Sequence, residues 1–210
     1  MNKKFNSGLA LILPNKKVNL FVIFIIVLGI ISGCLFLVVL NENDKNLVIN
    51  EINTFMTNIN TNNINNINSF KNSMIEFLIF IILTWILGMS IIGIIFNIFF
   101  IYLKSFVIGF SISSFILIYK YKGILASLVY VFPSQLINIL IILILGVYTL
   151  LFSKYLFKLI FFKDKSVNLG KFFKKYTLVL GICLILSLIS SLAEGYLVPS
   201  LLKVMIKLFI

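Results

Sequence analysis

The chain has 210 residues, 61% of them hydrophobic, and carries 18 basic against 6 acidic residues for a formal net charge of +12. Its mean hydropathy of +1.15 and its apolar fraction exceed the roughly 45–50% apolar content of soluble domains, which excludes an ordinary soluble fold. Every basic residue is Lys and no His is present, and the lysines flank apolar runs instead of forming one patch, which argues against a nucleic-acid surface.

Several uncharged apolar runs are long enough to cross a hydrocarbon core of about 30 Å. The short alternating segments of a membrane β-barrel are not the pattern here. We therefore read residues 1–210 as a single all-α domain, a polytopic integral membrane helical bundle of about five spans.

Residues 1–19 hold Lys3, Lys4, Lys16 and Lys17 and no acid, so the positive-inside rule makes the N-terminus cytoplasmic. The first span is 20–40. Residues 41–73 form an extracytoplasmic, Asn-rich loop in which Ile52, Phe55, Met56 and Ile59 recur at helical spacing, the pattern of an amphipathic helix resting on the outer surface or on a partner. The stretch 61–69 reads as flexible. The second span covers 74–97, with Glu76 facing the outer interface and a cytoplasmic turn in the region 97–104.

The third segment, 99–119, crosses if Lys104 snorkels to the inner face; otherwise it is re-entrant. The fourth, 124–153, contains Pro133, which predicts a kink. Residues 154–175 then carry Lys154, Lys158, Lys163, Lys165, Lys171, Lys174 and Lys175 against Asp164 alone, a basic cytoplasmic loop. The fifth span is 176–199. It leaves the C-terminus outside, where Lys203 and Lys207 fit better if the tail is an amphipathic interfacial helix.

Ile31-Ser32-Gly33-Cys34 has the shape of a lipoprotein cleavage box. The run 35–40 stays apolar, so 20–40 reads as a retained span. Cys34 and Cys183 have no metal-ligand spacing and read as inert core residues. Three rows of small residues lie at helical spacing: Gly29 with Gly33; Ser105, Gly109 and Ser113; Ser187, Ser191 and Gly195. Such rows let helix backbones approach closely, within the bundle or against a partner.

Glu194 shares a helix face with Ser187 and Ser191 and should point into protein. A charge within a span is costly and marks a functional candidate. Counted from Tyr176 it sits about 27 Å along the helix, near the outer interface, beyond reach of an inner-face Lys104. With no further acid expected at mid-depth, a structural or partner-binding role is favoured over ion coupling. No catalytic residues are assigned: serines lack a base partner, and no phosphate-binding loop occurs. No cofactor or metal site is read either.

Three local patterns resemble the stage II sporulation protein M family. They are Leu103-Lys104-Ser105-Phe106-Val107-Ile108-Gly109-Phe110-Ser111-Ile112; Lys122-Gly123-Ile124-Leu125-Ala126-Ser127 followed by Phe132-Pro133; and Ser191-Leu192-Ala193-Glu194-Gly195-Tyr196-Leu197-Val198-Pro199. Ser105 stands where the family has a glycine. Ser134 and Asn138 follow Pro133 where relatives outside sporulation often carry His and Glu, which fits the sporulation branch better.

The resemblance implies a non-enzymatic scaffold for engulfment in endospore formation. It would sit in the bacterial cell membrane, at the mother-cell septal membrane, and organise two peptidoglycan-degrading partners, the stage II sporulation proteins D and P. Residues 41–73 and the segment from Glu194 to Pro199 would meet those partners. The alternative is a permease or transporter subunit in which Lys104, Pro133 and Glu194 line a solute or ion path.

Overall fold

A computed structural model describes residues 15–61, 63–162 and 169–209. Lys3, Lys4, Lys163, Asp164 and Lys165 lie outside the described residues. Every regular element among those described is helical: α1 (Lys16–Val39), α2 (Glu42–Asn60), α3 (Asn66–Gly88), α4 (Gly93–Tyr130), α5 (Leu136–Phe161), α6 (Leu169–Leu192) and α7 (Val198–Phe209). Wide π-helical turns join α4 to α5 (Val131–Gln135) and α6 to α7 (Ala193–Leu197).

Asparagines start the first three helices. The side chains of Asn15, Asn41 and Asn65 each accept hydrogen bonds from backbone N–H groups of the following turn, satisfying donors that a helix start leaves unpaired. The Asn65 cap carries α3 back to residue 66 through part of the stretch read as flexible. At the other end of α3 the chain reverses over 89–92, ahead of the Asn97 where the second span was expected to end. Ser90 makes that turn, its hydroxyl donating to the Leu87 carbonyl and accepting from the Gly93 N–H. Asn97 is fully buried within α4.

Among the described residues, four stretches are long and apolar enough to cross a membrane: Lys16–Val39, Asn66–Gly88, Gly93–Phe161 and Leu169–Ile206. The third contains a reversal. Lys120 has φ 48° and breaks α4 into two arms. Gly123 on the second arm lies against the backbone of Phe115 and Ile116 on the first, where a Cβ would collide. Gly93–Phe161 thus folds back on itself and contributes two antiparallel arms to the bundle.

The core is built around α5, whose residues are buried on nearly every side between Ile141 and Ser153. A helix apolar all round belongs at the centre of such a bundle. Val22, Ile81, Ile101 and Val179 from four other helices close over it. Lys17 and Lys154 border one groove, which sets α1's start and α5's end on the same, lysine-rich side. There Tyr176 stacks on Trp85 and Phe152, at 5.6 and 4.7 Å between centroids, and donates to the Trp85 carbonyl at 2.8 Å. Ser153 donates to the Gly88 carbonyl at 2.7 Å, so the exposed end of α3 is satisfied from α5.

A second, smaller core lies at the opposite end. Met56 and Ile59 of α2, Phe115 and Ala126 of α4, and Val198, Leu202, Met205 and Ile206 of α7 are buried together. The amphipathic helix expected from Ile52, Phe55, Met56 and Ile59 is α2, and it seats on α4 and α7.

Candidate functional site

Two of the small-residue rows mesh with each other. α1 and α4 run parallel and form the most extensive helix pair in the bundle. A Cβ on Gly29 would fall 2.7 Å from Ser105 Cβ, and one on Gly33 would overlap the Phe106 carbonyl oxygen. From the other side, a Cβ on Gly109 would overlap the Ile30 carbonyl. The Cys34 thiol donates to the Gly109 carbonyl at 3.2 Å, and Tyr102 donates to Ser32 at 2.8 Å. In lipid such close contact is the principal source of helix association, and here it fixes the height of α4 against α1.

That height places Lys104 beside the middle of α1, next to the Gly29–Ser105 contact. Counted from Gly93 it stands about 16 Å up α4, and Glu76 stands about 18 Å up α3 from Gly88. The two form an ion pair. The ammonium also lies 5.1 Å from the ring centre of Phe77 and 5.7 Å from that of Phe80, within cation–π range. The expectation that Lys104 snorkels to the inner face while Glu76 faces the outer interface is therefore corrected. α3 starts at Asn66, ahead of the Met74 expected as the start of the second span. Gly195 of the second wide turn lies 2.9 Å, as an added Cβ, from Phe70 Cβ.

Glu194 lies in that wide turn, partly buried. Ser73 hydrogen-bonds its carboxylate, and Glu76 and Lys104 are near enough to act on it. Lys104 thus lies close enough for its charge to act on Glu194, contrary to the sequence reading, and Glu76 is a further acid in the same cluster. Two carboxyl groups and one ammonium share one region of the bundle.

A hydrogen-bonded chain runs from the cluster into the core. Tyr130 bonds with Ser111 and lies within the field of Glu194 and Glu76. Gln135 donates to the Tyr130 oxygen at 3.4 Å, Asn138 donates to Gln135 at 3.1 Å, and Ser190 donates to Asn138 and to the Ser134 carbonyl. Pro133 sits inside the first wide turn, and Pro199 just after the second. Proline removes an N–H from the helical ladder, and in both turns the bond reaches one residue further back: Leu136 N–H to Val131 and Val198 N–H to Ala193. Wide turns of this kind often mark functional positions. The two touch each other.

Among the residues singled out from sequence, Lys104 and Glu194 converge, Gly109 serves the α1–α4 seam, and Gly195 serves α3. Ser187 and Ser191 are fully buried and donate to carbonyls of their own helix at 2.8 Å. Pro133 and Pro199 shape the wide turns. Glu76 was placed at the outer interface and Asn138 noted only as a departure from relatives; neither these two nor Ser73, Tyr130, Gln135 and Ser190 were read as site residues. The polar run Ser134, Gln135, Asn138 behind Pro133, at helical spacing inside an apolar segment, is the signal that could have found part of the network.

Above the cluster, two grooves open at the end of the bundle opposite Lys17 and Lys154. One of about 430 Å³ runs between α2 and α4, with Glu51, Ile52 and Phe55 on one wall and Ser111, Phe115 and Tyr130 on the other. The second, of about 300 Å³, lies between Met56, Asn60, Tyr119 and Met205.

No curated protein and no solved structure matches the chain. The family described as Stage II sporulation protein M matches residues 21–199, a stretch that includes the α1–α4 seam, Glu76, Lys104, both wide turns and Pro199. The chain belongs to the stage II sporulation protein M family.

Proposed function

We infer that this sporulation-related membrane protein is a non-enzymatic scaffold that organises peptidoglycan-degrading partners at the septal membrane during engulfment, with the stage II sporulation proteins D and P as those partners. The observation that carries the reading is the cap at the end of the bundle opposite Lys17 and Lys154. There α2 and α7 pack on a rigid bundle through their own small core and leave two grooves open between them and α4. With the lysine-rich side in the cytoplasm, the cap faces the cell wall. Glu194 stands at the root of α7, where it ties that arm of the cap to α3 through Ser73. Affinity capture of the detergent-solubilised full chain from sporulating cells tests this. Both wall-degrading partners should be recovered with the wild type and lost with Glu194→Ala; normal recruitment by that variant sinks the role given to Glu194.

A second reading, a permease subunit, is favoured by the ion pair of Glu76 and Lys104 beside Glu194, since ionisable groups inside a membrane often line ion or proton paths. Flux through vesicles holding the purified chain separates the two readings. Transport that fails with Lys104→Met would establish the second, whereas tight vesicles together with partner capture support the first.

A further inference from the structure

Lys17, in the first turn of α1, and Lys154, near the end of α5, border one groove of about 250 Å³. Neither has a carboxylate partner among the described residues. The acids described are Glu42, Asp44 and Glu51 on α2, Glu76 on α3 and Glu194 in the second wide turn. The first turn of α1 holds no acid, and it is the helix end at which the dipole disfavours a cation. Two like charges thus flank one slot with nothing to balance them. Beyond them the slot is apolar. Phe21, 46% exposed, Ile94 and Ile98 form its walls, and Leu150, 7% exposed, forms its floor. From Lys17 to Phe21, and from Ile94 to Ile98, it follows one helical turn, about 6 Å.

We propose that this slot holds an anionic phospholipid of the inner leaflet, its phosphate between Lys17 and Lys154 and an acyl chain along Phe21, Ile94 and Ile98. Charge and apolarity select that occupant together. A soluble anion would answer the lysines and gain nothing from the apolar walls. A zwitterionic lipid would fill the walls but bring its own ammonium to two lysines already unmatched. A second copy meeting this face across a two-fold axis would set lysine against lysine. The positive-inside rule puts this end in the cytoplasm, where the leaflet carries anionic lipids and basic pockets between helices take their headgroups. The slot lies at the opposite end from the cap and rests on neither reading of the function.

A tryptophan placed in the slot reports on its occupant. The full chain carrying Phe21→Trp, with its one native tryptophan removed by Trp85→Phe, is reconstituted in phosphatidylcholine vesicles at low salt, where screening is weakest. Dibrominated phosphatidylglycerol or dibrominated phosphatidylcholine is added in steps, and quenching of the emission from position 21 gives their relative affinity. Phosphatidylglycerol should be preferred about 25-fold, from two lysines that each contribute about fivefold, or about 1 kcal/mol. Both lysines are exposed, so replacing them leaves the core intact. Lys17→Gln and Lys154→Gln should each cut the preference about fivefold, and together abolish it. Lys174→Gln with Lys175→Gln, exposed on α6 and outside the slot, should leave it in place. Equal quenching by the two lipids overturns the proposal. So does a preference that survives loss of both slot lysines, or one that the α6 pair removes as fully. A preference erased by inorganic phosphate, and not by chloride at the same ionic strength, would make the occupant a soluble anion and overturn it. Quenching lost as protein is raised against lipid would mean that a second copy covers the slot, with the same result.

Discussion

Gly33 on α1 lies so close to Phe106 on α4 that any side chain at position 33 would overlap the Phe106 carbonyl oxygen. The atom in the way is backbone, so no rotamer change relieves it. Gly33→Leu should therefore part the two helices and destabilise the protein by about 1–3 kcal/mol, the usual cost of overpacking. Gly181, with nothing near a built Cβ, is the control: Gly181→Ala should leave the unfolding midpoint in detergent unchanged or slightly raised.

The ion pair between Glu76 and Lys104 predicts a coupling. Lys104→Met leaves Glu76 and Glu194 facing each other without a cation, and Glu76→Gln leaves Lys104 with Glu194 alone. Each single variant should be less stable than wild type, and the double variant should recover part of the loss. The interaction energy should be about 1–3 kcal/mol from a double-mutant cycle of denaturant unfolding. Additive losses would mean that the two residues do not act on each other.

Lys120 holds φ at 48°, a left-handed value that favours glycine. Strained backbone of this kind costs about 1–3 kcal/mol. Lys120→Gly should raise the unfolding midpoint, and Lys120→Ile should lower it, since a β-branched residue suffers most there.

The same reversal fixes a topology that chemistry can read. With Cys34 and Cys183 replaced, a cysteine at position 120 should react with an impermeant maleimide added outside the cell, and one at position 154 only after the membrane is opened. Labelling of position 120 from the cytoplasmic side alone would mean that the first arm of α4 does not cross.

Much of this was legible in the sequence. Apolar runs and lysine positions point to the bundle and its lysine-rich side, the glycine rows anticipate the close seam at Gly29, Gly33 and Gly109, and the spacing of Ile52, Phe55, Met56 and Ile59 marks α2. Depth was not legible. Hydropathy counts Asn66 to Ser73 as outside the membrane, but the Asn65 cap starts a helix there and Phe70 is covered by Gly195. Glu76 lies near the middle of that helix, beside Lys104. The partner of an intramembrane charge depends on which helices are neighbours, and no local pattern encodes this.

Leu202 is fully buried between α7, α2 and α4. Leu202→Ala should cost about 2–5 kcal/mol locally and free the cap before the bundle unfolds. Hydrogen exchange should quicken in α2 and α7 while α5 stays protected.

The second wide turn sets the phase of everything after it. A helical residue advances the chain by about 100°, and a wide turn holds one residue more than an α-turn would. Deleting a single residue between Ala193 and Leu197 would let α6 and α7 continue as an ordinary helix. Because the wide turn already absorbs that extra residue, α7 would keep nearly its present face; closing the turn with all its residues kept would instead rotate α7 by that angle and turn Val198, Leu202, Met205 and Ile206 away from Met56 and Ile59. The chain around Glu194 therefore works as an indexing device: the width of its turn, as much as its charge, decides which way the last helix looks.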